Sequence, residues 1–268
     1  MMRSGPIAAE LIEGLMQLKS AEDQKQMKRS KFSFDNFLPS AGTFSHALAP
    51  ERLGPHIAKR VLWRADTAEK VVALSFDDGP NPVYTPEILK ILAEFGIPAT
   101  FFLVGRHVEK YGSIARDVKE QQHEIGNHTF NHKMMPFLND AEIETEVSRT
   151  HASIQEKTGS TPRYLRPPMG LFTKRTVTKT AKEGYKTIVG DVYPRDPGKP
   201  GKKRLVQRIL RRVKPGSVII LHDGGNTKNV DRSQTVACVK EIIPNLLEKG
   251  YRFSTLTGMF GTESSAQP

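Results

Sequence analysis

The chain has 268 residues, 37% of them hydrophobic and 26% charged, with a formal net charge of +11. That apolar share supports a folded core and excludes wholesale disorder, while the length fits one or two domains or a single α/β barrel. A single cysteine, Cys238, excludes an intrachain disulfide and a cysteine-rich zinc module. No apolar run approaches the roughly 18 residues that a membrane-spanning helix needs.

Residues 1–66 are expected to form an N-terminal extension, partly irregular. Leu11, Ile12, Leu15, Met16 and Leu18 mark a short amphipathic helix, and a Pro/Gly/Ser/Ala-rich, linker-like centre follows. Glu10 and Glu13 interrupt the apolar stretch, so no secretory signal is read and the expected location is cytoplasmic. The last part, HIAKRVLWRADTAEK, leads into the main domain as an edge strand or collar. The main domain is expected over residues 67–262, and residues 263–268 form a flexible tail.

From Val71 onwards, β-branched and aromatic runs alternate with helical patterns. The strand-like runs cover 71–77, 99–105, 124–129, 164–168, 185–191, 217–223 and 251–256. Helical patterns fill the intervals, and Gly96, Gly159, Gly184 and Gly250 follow helices where a left-handed C-cap suits glycine. Alternation of this kind predicts a parallel sheet with crossover helices. The strands are apolar nearly throughout, as strands buried on both faces should be. Asp77, Asp78, His128, Arg166, Asp191 and His222 fall at or just beyond the C-terminal ends of five different strands. A barrel gathers such ends around one mouth, whereas a flat sheet spreads them along an edge. The expected fold is therefore α/β: a distorted, seven-stranded (β/α) barrel.

The basic charge is concentrated. Lys199, Lys202, Lys203, Arg204, Arg208, Arg211, Arg212 and Lys214 supply +8 of the +11. Leu205, Val206, Ile209, Leu210 and Val213 give the same segment one apolar helical face. A solvated outer helix accounts for this; contact of residues 199–214 with an anionic surface is the sharper alternative. The segment has no aromatic residues, so nucleic acid is not an expected partner.

Five motifs carry candidate chemistry, and each alone also fits a bland role. In SFDDGP (75–80), Asp77 and Asp78 are adjacent, so on a strand they point to opposite faces unless the strand ends between them. An Asp-Gly-Pro turn is the plain alternative. In GNHTFNH (126–132), His128 and His132 are four apart and at helical spacing would face one metal, with Asp78 as the natural third ligand. In YLRPPMG (164–170), two prolines hold Arg166 rigidly for a carboxylate partner. GDVYPRDP (190–197) offers Asp191 and Asp196. SVIILHDGG (217–225) places His222 after an apolar run, where a tuned imidazole could act as general acid. For His46, His56, His107, His123 and His151, surface or capping roles are expected.

The order of these motifs resembles the polysaccharide deacetylases with the NodB homology domain, carbohydrate esterase family 4, over about residues 70–257. SFDDGP, HTFNH, RPPMG, the YPRDP loop and ILHD carry the likeness, and ATFFLVG adds to it. The resemblance implies a distorted (β/α) barrel that hydrolyses N-acetyl groups from a GlcNAc-containing glycan, such as chitin oligomers or peptidoglycan. It implies Asp77 as general base and Asp78, His128 and His132 as ligands of one divalent metal, zinc first. Arg166 would orient Asp77, and Asp196 would tune the acid, His222. Leu221 would form an apolar wall of the acetyl pocket, and Met169 would offer its backbone N–H to the oxyanion. Met169, Leu221, Tyr193 and Pro168 form the implied substrate-binding set. A related C–N hydrolase or O-deacetylase, and a weakly catalytic glycan-binding or basic surface-binding module, are the alternatives. Three residues depart from the pattern: Met169 replaces a Tyr, Pro197 replaces a Trp, and Ser75 replaces a Thr. Tyr193 and Phe172 are the nearest aromatic residues that could replace the Trp. Most members of the family are extracellular, in contrast to the location read from the chain.

Overall fold

A strand of nine consecutive buried residues, β2 (Val71–Gly79), is the axis of the molecule. The computed structural model describes residues 60–227 and 229–261. The amphipathic helix and linker expected at the N-terminus and the tail at 263–268 lie outside the described residues. In chain order the elements are β1 (Val61–Leu62), β2, α1 (Tyr84–Phe95), β3 (Thr100–Leu103), α2 (Gly105–Lys110), α3 (Gly112–Glu120), β4 (Glu124–Asn127) and α4 (Asp140–Thr158). There follow β5 (Tyr164–Leu165), α5 (Lys174–Lys182), β6 (Lys186–Ile188), α6 (Lys202–Arg212), β7 (Val218–His222), α7 (Ser233–Glu248), β8 (Arg252–Ser254) and α8 (Leu256–Phe260). Among the described residues no helix is long and apolar enough to cross a membrane.

The strands form one eight-stranded sheet in the order β1-β6-β5-β4-β3-β2-β7, with β8 paired to β2, and every ladder is parallel. All seven expected strands are present. The eighth is the short β1, where the sequence suggested an edge strand or collar. Its pairing with β6 is parallel, Val61 to Thr187 and Leu62 to Ile188. Closure between the ends of the sheet comes from two isolated bridges, Val192 to Ile219 and Arg64 to Ser217. That weak seam makes the barrel a distorted one.

Side chains alternate across β2 with the strand period of two. Leu74 and Phe76 face outward into a core built with Ile88, Leu92, Val239 and Ile242 from the helical layer. Ala73 faces inward, with Phe102, Tyr164, Ile188 and Val218. Burying one such aliphatic or aromatic side chain stabilises the fold by roughly 1.5–3 kcal/mol. Ser75 and Asp77 continue the inward row towards the C-terminal mouth. A strand expected to run to Gly105 ends at Leu103 instead, and α2 starts at Gly105. There the chain passes so close to its neighbours that a Cβ would lie 2.5 Å from Phe130 and 3.1 Å from the Thr150 backbone. α6 buries Leu205, Val206 and Ile209 and exposes Lys203, Arg204 and Arg211, the outer helix that its pattern suggested.

Candidate active site

Asp77 and Asp78 escape strand alternation because the β2–β3 register shifts between Asp77 and Gly79. Asp78 takes left-handed backbone, φ 74°, a region that Asp enters more readily than most residues. Arg166 donates from Nη1 to Asp77 Oδ1 at 2.7 Å and to Ser75 Oγ at 2.9 Å. Its guanidinium lies 4.1 Å over the Phe102 ring, and its backbone N–H donates to Asn127 O at 3.0 Å. Both members of the pair are buried. Burial lowers the Arg166 pKa, and the Asp77 carboxylate opposes that shift. The expected pairing of Arg166 with Asp77 is therefore present.

The two histidines expected at helical spacing lie instead in a loop after β4, where Thr129 and His132 have φ of 63° and 57°. Loop geometry, not a helix face, brings them together. His132 Nε2 is 3.1 Å and His128 Nε2 is 3.4 Å from Asp78 Oδ1. One donor atom from each of the three residues lies within 4.8 Å of the others. His128 Nδ1 is 2.7 Å from Arg166 O. A carbonyl only accepts, so Nδ1 carries the proton, and in the neutral ring Nε2 presents a lone pair. That lone pair faces a carboxylate oxygen that is buried without a hydrogen-bond donor. Two electron-rich atoms directed at one point suit a bound cation, and the two imidazoles plus one carboxylate suit a divalent metal with an open position.

His107 has more than the surface role expected of it. Its Nδ1 donates to the Asp78 carbonyl at 2.9 Å and so helps fix the turn that aims the carboxylate. His123 accepts the Ala99 N–H at 3.2 Å, and burial lowers its pKa to about 4. His151 meets the Tyr185 hydroxyl at 2.7 Å. His46 and His56 lie outside the described residues.

His222 stands on β7 directly beside Asp77 in the ladder. Its Nδ1 is 2.9 Å from Asp196 Oδ1. The other Asp196 oxygen accepts from the His222 backbone N–H at 2.9 Å and from Thr235 Oγ1 at 2.8 Å. Burial alone would lower the His222 pKa, but the Asp196 charge and hydrogen bond raise it to about 9. The Tyr193 ring sits 5.9 Å from the imidazole. Arg208 and Arg212 brace this loop through the Pro194 and Tyr193 carbonyls, at 2.8 and 3.4 Å.

Two expectations need correction. Asp191 does not reach the mouth: it accepts from Ser217 Oγ and the Val218 N–H, both at 2.8 Å, and so anchors the start of β7 at the barrel seam. Leu221 is fully buried in the outward core with Phe76 and Val239, because it is one residue out of phase with His222. Ile220 shares the inward row with His222. Pro168 is buried in the short turn Pro168–Gly170, and Met169 in that turn has φ 59° and is 42% exposed. Phe172 packs against Trp63 with ring centroids 6.2 Å apart and is buried, so of the two aromatic candidates only Tyr193 borders the mouth.

Asp223 went unread in the sequence, although it directly follows His222. Thr85 Oγ1 donates to its carboxyl, and its backbone N–H donates to Asp77 O at 3.1 Å. Burial raises its pKa to about 7. Gly79 lies against it so tightly that a Cβ would sit 2.4 Å from Asp223 Oδ2.

Residues 64–188 match the polysaccharide deacetylase family. A peptidoglycan-N-acetylglucosamine deacetylase of Bacillus cereus is 40% identical over 200 residues, covering 74% of this chain and 91% of that protein. A chitooligosaccharide deacetylase of Sinorhizobium fredii is 36% identical over 204 residues, covering 74% of this chain and 95% of its own. The crystal structure of a peptidoglycan N-acetylglucosamine deacetylase superposes with a TM-score of 0.72 at 28% identity, covering 78% of this chain and 95% of that one. With a parallel barrel, a three-donor cation cluster and these relatives in agreement, the chain belongs to the polysaccharide deacetylase family.

Proposed function

We propose that this hydrolase removes N-acetyl groups from GlcNAc units of a glycan of the peptidoglycan or chitin-oligomer type, releasing acetate and a free amine. The observation that carries the reading is the adjacency, on neighbouring strands, of an arginine-held carboxylate and a carboxylate-held imidazole, next to the open Asp78-His128-His132 cluster. Those three residues would hold one divalent ion, which we assign as zinc. When bound it supplies Lewis-acid polarisation of the acetamide carbonyl and acidifies water.

Asp77 is the general base. Its Arg166 partner orients it, so it can take a proton from water as that water attacks the acetamide carbon. His222 is the general acid. With a pKa of about 9 it is charged at neutral pH and gives its proton to the departing nitrogen as the C–N bond breaks. The Met169 backbone N–H is assigned to the oxyanion, in a turn that Pro167 and Pro168 stiffen. Ile220, rather than Leu221, lines the space for the acetyl methyl group, and Tyr193 offers a ring face for the sugar. Pro168 shapes the floor of that turn.

Acetate release from N-acetylglucosamine oligomers, by metal-stripped protein before and after zinc addition, tests the reading. Zinc-dependent release that Asp77→Asn lacks is the expected result. Tight zinc binding without release would move the activity to another amide or ester. No zinc binding would overturn the ligand assignment.

A further inference from the structure

Glu146 lies in the middle of α4, on the face that also buries Ile143, Val147 and Thr150, and is 4% exposed. A buried carboxylate needs donors, and Glu146 finds them in one residue. Asn131 donates from its backbone N–H to Oε2 at 2.6 Å and from Nδ2 to Oε1 at 2.7 Å. Lys133 Nζ is 3.9 Å from Oε1.

Asn131 sits inside the loop that runs from His128 to His132. Earlier parts of that loop are tied through the backbone. His128 N–H donates to Leu103 O at 3.0 Å, Gly105 N–H to Thr129 O at 3.0 Å, and Arg106 N–H to Phe130 O at 3.1 Å. Arg149, also on α4, covers the Phe130 ring at 3.6 Å. These ties end at Phe130. The next residue is Asn131, and the one after it is His132, whose left-handed backbone directs Nε2 to Asp78.

We infer that Glu146 is a positioning residue for the cation site: its two-point clasp on Asn131 fixes the backbone immediately before His132 and so sets where that imidazole points. The inference rests on the metal reading above. Groups behind metal ligands are costly to alter even though they never touch the ion. A salt bridge alone would not do this, because one contact leaves the peptide plane free to rotate.

The test compares zinc affinity, by competition with a chromophoric chelator, and the visible absorption of the cobalt(II) form. Glu146→Gln is nearly isosteric but turns an amide donor towards the Asn131 donors. Its zinc dissociation constant is expected to rise about 10- to 100-fold, with a changed cobalt spectrum. Asn131→Ala should do the same more mildly, and it keeps the test open if Glu146→Gln does not fold. The double variant should be little worse than Glu146→Gln, since the two residues act as one unit. A folded Glu146→Gln protein with lowered thermal stability but wild-type zinc affinity and cobalt spectrum would overturn the inference alone. A wild-type protein that binds no zinc would overturn the metal reading and this inference with it.

Discussion

Two carboxylate–cation pairs face each other across the β2–β7 ladder, and they are built with opposite polarity. In the Asp77–Arg166 pair the cation is the holder: Arg166 is locked by Ser75, Phe102 and the Asn127 carbonyl, and the carboxylate is presented. In the Asp196–His222 pair the carboxylate is the holder. Asp196 spends both oxygens on His222 and Thr235, and the imidazole is presented. The same kind of ion pair thus presents a carboxylate on one strand and an imidazole on the next. Which member is tied down by its other contacts decides which member is left for chemistry.

Breaking the first pair at its presented member has the largest expected effect. Asp77→Asn keeps the shape and removes the base, and kcat for acetate release should fall about 10³- to 10⁴-fold with the fold intact. Replacing the presented member of the second pair, as His222→Gln, should lower kcat about 10²- to 10³-fold. Loss of the holder is a stability event as much as a catalytic one. Arg166→Met leaves the buried Asp77 carboxylate without its partner and should cost about 3–5 kcal/mol, read from urea denaturation. By contrast, His222 contributes through its raised pKa. Its share of stability is full below the unfolded-state value near 6.5 and is lost as pH rises through about 9. Denaturation midpoints of wild type and Asp196→Asn should therefore converge as pH climbs from about 6.5 to 9.

A smaller contrast separates neighbouring residues of β7. Leu221→Ala should destabilise by about 2–5 kcal/mol with KM unchanged, because its side chain belongs to the helical layer. Ile220→Ala should raise KM for the N-acetylated substrate with a lesser stability loss. The reverse pattern would place Leu221 at the mouth.

These residues also mark what the sequence made legible. The parallel sheet, the barrel and the grouping of Asp78 with His128 and His132 were expected from alternation, motif spacing and polar residues at strand ends. The phase of a strand does not. Leu221 and Ile220 look alike, and only the ladder that pairs His222 with Asp77 tells which one faces inward. The spacing of His128 and His132 suggested a helix, but the left-handed Thr129 and His132 are non-glycine residues whose conformation no local propensity announces. Asp191 sat beyond a strand like the true mouth residues, yet the irregular step across to β7 carried it to the seam. Asp223 and Glu146 were missed because a carboxylate looks solvated until its donors, far away in the chain, are known.

The most direct measurement is the pH profile of kcat/KM for acetate release, for wild type and for Asp196→Asn. If Asp196 is the holder that keeps His222 an acid, wild type should lose activity on the alkaline side near pH 9, and the variant should lose it at clearly lower pH. An alkaline limb at the same pH in both proteins would contradict the opposed-pair account.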